Sequence, residues 1–106
     1  MEFIEPEQKG FTIYSKSGCP NCTSVKKLIK DHLLFFNEIN CDEYILECKE
    51  DFLAFIENKA NTSYKTFPMV FYDGKFIGGF IKTSEFINQL LLSFEDKKLL
   101  SFDDNF

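Results

Sequence analysis

The chain has no tryptophan, a single histidine, five glycines and three prolines in 106 residues. No apolar run reaches the ~20 residues that a membrane-spanning helix needs. The start, Met1-Glu2-Phe3-Ile4-Glu5-Pro6, is acidic, with no basic-then-apolar leader. A cytoplasmic location without membrane contact is therefore expected. Basic charge is in the minority: the net charge is −5, with acid concentrated in 42–51 and 95–104. No basic face can be read that would neutralise phosphates, so nucleic acid is not an expected partner. There is no internal repeat and no sign of a second domain. A single domain over 1–106 is expected, with a core at about 10–95, a loose arm at 1–9 and an acidic tail.

Apolar residues are plentiful, at 44% with 14 phenylalanines, and so is cysteine, with four. The organising stretch is Ser17-Gly18-Cys19-Pro20-Asn21-Cys22. It follows a strand-like run, 11–15, and opens a helical pattern in which Val25, Leu28, Ile29, His32 and Leu33 share one stripe. This order sets Cys19 at a helix N-terminus, where unpaired N–H groups and the positive end of the dipole favour an anion. A thiol there drops from about 8.5 into the range of roughly 3.5–7.5 and becomes a nucleophile at neutral pH. Cys22 lies one turn on, within disulfide reach. Pro20 suits the first helical position, where its missing N–H costs nothing. Lys16, three residues before Cys19, reads as a loop cation placed to favour the thiolate. His32 is roughly 20 Å along the helix from Cys19, at about 1.5 Å per residue. It cannot be the base for that sulfur, and a packed or end-stabilising role is expected instead.

Zinc is the bland alternative for a Cys-x-x-Cys pair. Cys19 and Cys22 with Cys41 and Cys48 would make a four-thiolate set. The second pair is spaced too loosely for a knuckle, and a helix rather than a tight turn follows Cys22, so no metal is expected. Cys48 falls on the stripe Cys48, Phe52, Phe55, Ile56 and Lys59 of a helix at about 49–60 and reads as a small buried hydrophobe. Cys41 ends a second strand at 35–40 and is expected partly exposed, before a stretch at 42–46 that reads as irregular or one loose turn. A strand follows Pro68, Asp73-Gly74 reads as a two-residue hairpin turn, and 75–77 returns antiparallel. Gly78-Gly79 implies a close backbone approach. Thr83 or Ser84 is expected to cap a last helix with the stripe Phe86, Ile87, Leu90, Leu91 and Phe94. The order β-α-β-α-β-β-α predicts an α/β fold, a four-stranded mixed sheet flanked by helices.

Cys19-Pro-Asn-Cys22 after a strand, Thr66-Phe67-Pro68 before a hairpin and Gly78-Gly79 before the last helix together resemble the glutaredoxins, over residues 10–95. These are small glutathione-dependent oxidoreductases of thioredoxin-like fold. The resemblance implies Cys19 as nucleophile and Cys22 as resolving thiol. It implies Lys16 and Lys65 as cations for a glutathione carboxylate, and a cis Pro68. The Phe67 backbone would pair with the cysteine of glutathione like an added strand, beside Thr66. Gly79 and the N–H groups of Phe80 and Ile81 would receive the γ-glutamyl end. Glutathione is then a co-substrate and no bound cofactor is needed. The partners are glutathione and glutathionylated or disulfide-containing proteins, and a monomer is expected.

Two departures stand out. Asn21 replaces the family's usual tyrosine. Phe80-Ile81-Lys82 replaces the small hydroxyl residue and aspartate that follow the paired glycines, and an offset alignment would use Thr83 and Ser84 instead. Three other readings remain beside the enzyme. A thioredoxin-like reductase fed by a flavoprotein lacks support from a Trp-Cys-Gly-Pro-Cys pattern. An iron–sulfur or zinc module is opposed by Pro20. A pure interaction domain is opposed by the retained cysteine pair.

Overall fold

A computed structural model describes the backbone of residues 2–103 and side chains through Leu92. Its elements run β1 (Phe11–Ser15), α1 (Pro20–Asp31), β2 (Phe36–Asn40), α2 (Asp42–Ala60), β3 (Met69–Tyr72), β4 (Lys75–Gly78) and α3 (Phe80–Asp103). The sheet order is β2-β1-β3-β4. The α1 crossover leaves β2 parallel to β1, with Ile13 opposite Glu38, while β3 is antiparallel to both β1 and β4. This is the mixed four-stranded sheet with flanking helices that the alternating pattern predicts. The hairpin turns at Asp73-Gly74, both at positive φ (51° and 79°), which glycine tolerates without strain.

Alternation along β1 and β3 divides the core between the two faces of the sheet. Phe11, Ile13 and Val70 meet Val25 and Ile29 of α1 and Ile87 of α3. On the other face Tyr14, Met69 and Phe71 meet Tyr44, Phe52 and Ile56 of α2. The second face is markedly aromatic: Phe52 stacks on Tyr44 with centroids 5.3 Å apart and lies parallel to Phe67 at 6.1 Å.

The expected loose arm is docked instead. Phe3 inserts among Tyr44, Phe52 and Phe55, with centroids 4.9–5.6 Å away. The Ile4 carbonyl accepts from the Tyr14 hydroxyl at 2.7 Å, and Glu5 pairs with Lys59. Two adjacent apolar residues, Phe3 and Ile4, in an acidic arm carry no periodicity, so only the hollow that Phe3 fills reveals its role.

Other expectations shift. Helix α1 stops at Asp31. His32 caps its end, with Nδ1 2.9 Å from the Leu28 carbonyl oxygen, as the end-stabilising reading has it. Leu33 leaves the stripe because it adopts a left-handed conformation (φ 58°) and turns outward, 89% exposed. Phe35 lies outside β2 and is 92% exposed. The stretch 42–46 is the regular start of α2 rather than irregular or one loose turn. Asp42 and Glu43 complement the helix dipole in the first turn, and the Asn40 side chain caps the Asp42 amide at 3.0 Å. The break falls at Cys48 (φ −152°, ψ 51°), which is half-buried rather than buried. Cys41, expected partly exposed, is fully buried against the aromatic face. Helix α3 begins at Phe80, so neither Thr83 nor Ser84 caps it, and Thr83 is buried one turn inside. The Phe94 side chain and residues 104–106 lie outside the described residues.

Candidate active site

Strand β1 delivers the chain to a turn that Gly18 makes possible with φ 68°. Cys19 follows as the N-cap of α1 and Pro20 takes its first turn. The cap bond is made by sulfur: the Cys22 amide donates to Cys19 Sγ at 3.1 Å. Cys19 and Cys22 form a disulfide with Cα atoms 5.2 Å apart. Cys22 is buried and Cys19 half-buried. The first sulfur is therefore the more accessible of the two, and the second is shielded.

The loop before Cys19 is anchored from α2. Asp42 accepts from the Ser17 amide at 2.9 Å and from the Ser17 hydroxyl. Those bonds from Ser17 hold the Asp42 carboxyl below its ordinary 3.8, and the charge of Lys16 adds to the effect. The sequence alone does not reveal this anchor, because 42–46 reads there as irregular or one loose turn. The Asn40-Cys41-Asp42 run, a strand end with acid following, was the available signal.

Two adjoining pockets, of about 560 Å³ and about 390 Å³, share Asn21, Thr66 and Phe67 and so form one groove past the disulfide. One end is walled by Tyr64, Pro68, Gly79, Phe80, Ile81 and Lys82. The other is walled by Lys16, Lys49 and Lys65 over Phe52 and Leu53. Lys16 Nζ lies 5.8 Å from the Phe67 ring centroid. Phe67-Pro68 is the cis bond implied by the resemblance.

The groove thus gathers Lys16, Lys65, Thr66, Phe67, Pro68, Gly79, Phe80 and Ile81. It does not include Thr83 or Ser84, so the first alignment, through Phe80-Ile81-Lys82, is the one that lines the wall. The close approach expected at the glycines is real. A Cβ on Gly79 would sit 2.7 Å from the Tyr64 hydroxyl, and one on Gly78 would sit 2.9 Å from Lys82 Cβ. Five groove residues are not marked as site residues by the sequence alone: Ile45, Lys49, Phe52, Leu53 and Tyr64. Lys49 was detectable, since Ile45, Lys49, Phe52 and Leu53 fall on one face at i, i+4, i+7 and i+8.

Among the described residues no group of three or more His, Cys, Asp or Glu is arranged to hold a metal ion. No described helix is long and apolar enough to cross a membrane.

The glutaredoxin family model matches residues 11–77, more than half of the chain and all of the groove as far as the hairpin. The chain belongs to the glutaredoxin family. Over 69 residues it is 33% identical to the glutaredoxin-like protein NrdH of Lactococcus lactis subsp. cremoris, covering 65% of this chain and 85% of the relative. Glutaredoxin 1 of Rickettsia felis is 31% identical over 67 residues, 63% of this chain and 61% of the relative. Among solved structures, glutaredoxin 1 of Francisella tularensis complexed with cacodylate superposes with a TM-score of 0.68 at 26% identity, covering 77% of this chain and 95% of that one. A buckwheat glutaredoxin–glutathione complex superposes at 0.61 with 30% identity, covering 74% and 68%. This glutaredoxin is accordingly a thiol–disulfide oxidoreductase of thioredoxin-like fold with its Cys-x-x-Cys pair closed as a disulfide.

Proposed function

We propose that this glutaredoxin reduces glutathione mixed disulfides and protein disulfides at the expense of glutathione. The carrying observation is a half-buried Cys19, capping α1, beside a groove with cations at one end and the start of α3 at the other. A tripeptide with a carboxylate at each end matches that distribution. The buckwheat relative's complex with glutathione supports the same ligand.

In the reduced protein, Cys19 is the nucleophile. Its thiolate attacks the glutathione sulfur of a mixed disulfide. A Cys19–glutathione bond forms as the mixed disulfide's S–S bond breaks, and the target's sulfur leaves with that bond's electron pair and takes up a proton, which restores its thiol. A second glutathione thiolate breaks the Cys19–glutathione bond, giving oxidised glutathione and returning Cys19. With a protein disulfide, Cys19 becomes tethered to the target. Cys22 then attacks Cys19, expels the target's thiol and leaves the Cys19–Cys22 disulfide. Two glutathiones re-reduce that pair. Lys16 and Lys65 hold one carboxylate as point charges. The backbone of Thr66, Phe67 and Pro68 lines the peptide's path. Gly79 and the first N–H groups of α3, from Phe80 and Ile81, meet the other carboxylate, which the positive end of the helix dipole favours. No bound cofactor takes part, and the reading is of a monomer acting in the cytoplasm.

Phe80-Ile81-Lys82 offers neither hydroxyl nor carboxylate to a γ-glutamyl group. That departure favours a second reading, in which a flavoprotein reductase recycles the pair. Turnover of a small glutathione mixed disulfide is expected with glutathione and glutathione reductase. Turnover only with a thioredoxin-type flavoprotein reductase would replace the first reading by the second.

A further inference from the structure

The cation end of the groove carries more charge than one carboxylate requires. Lys16, Lys49 and Lys65 converge on one pocket of about 390 Å³. Among the described residues none of the three has a carboxylate within ion-pair distance, whereas Lys26, Lys27, Lys59 and Lys82 each do. Asp42 feels the charge of Lys16, but its carboxylate is hydrogen-bonded to Ser17. The other acids of this part of α2, Glu43, Glu47, Glu50 and Asp51, do not line the groove. Lys49 is also misplaced for helix stability. It follows the break at Cys48 and so opens the second part of α2, where the dipole favours an acid over a lysine. This basic spot sits on a chain of net charge −5, so an acidic segment is repelled elsewhere and attracted here.

Resting on the disulfide chemistry proposed above, we infer that the protein substrates of this glutaredoxin carry acidic residues flanking the disulfide cysteine. The groove holds that segment during the Cys19-tethered stage, and Lys49 is a specificity-determining residue for it. A glutathione molecule has one carboxylate for this end; a flanking acidic run has several.

The test uses the full chain, pre-reduced and freed of reductant, with no glutathione present. Two disulfide-linked peptide dimers serve as probes, the cysteine flanked on both sides by glutamates in one and by glutamines in the other. One peptide S–S bond breaks and one Cys19–Cys22 bond forms. Two electrons pass to the peptide, and two protons follow to its thiols. Rapid alkylation and mass analysis give the second-order rate constants. Rates of dithiothreitol on the same dimers correct for leaving-group chemistry. At low salt the corrected acidic-to-neutral ratio is expected to be about tenfold, from three partly screened charge contacts. It should fall towards one in high salt. Lys49→Gln should lower the ratio to about fivefold or less, Lys49→Arg should restore it, and Lys75→Gln, on the hairpin outside the groove, should leave it at the wild-type value. A wild-type ratio near one, or equal ratios in Lys49→Gln and Lys75→Gln, overturns the inference. If glutathione mixed disulfides still turn over in that case, the proposed function stands without it. If neither peptide oxidises the pair, the inference falls together with the protein-disulfide half of that function.

Discussion

Cys19 and Cys41 occupy matching places. Each follows a strand of the same parallel pair and each takes the N-cap position of the next helix. Their sulfurs nevertheless have opposite environments. Cys19 Sγ receives the Cys22 amide and stands half-buried at a groove. Cys41 makes no cap bond. It is fully buried, donates its S–H to the Ile39 carbonyl, and burial raises its thiol from 9.0 to about 12. A helix N-terminus therefore does not by itself activate a thiol. The sulfur must point at the exposed N–H groups and reach solvent; turned the other way it is a small core hydrophobe.

The strongest way to break this comparison is to remove each sulfur in turn. Cys19→Ser should abolish both mixed-disulfide and protein-disulfide reduction, by on the order of a thousandfold or more. Cys22→Ser should keep the mixed-disulfide activity within about threefold and lose most protein-disulfide activity, because release by a tethered thiol is lost. Cys41→Ser should leave both rates near wild type. Equal losses from Cys19→Ser and Cys41→Ser in the mixed-disulfide assay would end the distinction.

Stability should show the reverse order. Cys41→Ser puts a more polar group among Tyr14, Phe52 and Met69, so denaturant unfolding should show a loss of about 1–3 kcal/mol. Cys19→Ser, compared with the reduced wild type, should lie within about 0.5 kcal/mol, since a serine also caps a helix.

Alkaline pH sharpens the same contrast. The buried Cys41 thiol is raised by desolvation first, and Tyr14 is raised by desolvation and then by Cys41 and Tyr44. Both stay neutral in the fold but ionise once unfolded. The thiol's contribution is whole below its unfolded value of 9.0 and is lost as pH rises towards the folded value of about 12, and that of Tyr14 declines above its own unfolded value of 10.0. Unfolding free energies from urea titrations should fall above about pH 9, by at most about 1.4 kcal/mol per pH unit for each ionising group. Cys41→Ala should flatten the first part of that fall.

The smallest effects belong to the exposed cations near Cys19. Lys16→Gln and Lys65→Gln should each raise KM for a glutathione mixed disulfide about two- to tenfold, less at high salt. Unchanged KM values in both variants would remove these lysines from the proposed glutathione grip.

Short-range pattern was enough for the element order, the hairpin at Asp73-Gly74 and the Cys19–Cys22 pair. Alternation, helical spacing and turn chemistry act over a few residues and are written directly in the sequence. The groove was legible in part. Thr66-Phe67-Pro68 and Gly79 stood out as motifs, whereas Lys49 and Tyr64 belong to none. What only tertiary structure decided was how distant pieces face one another: Phe3 of the arm among the α2 aromatics, Asp42 holding Ser17, Leu33 turned out, Cys41 turned in. Each depends on packing between segments that no local period encodes. The same residue at the same place in a β-α unit is exposed or buried according to what the rest of the chain stacks upon it.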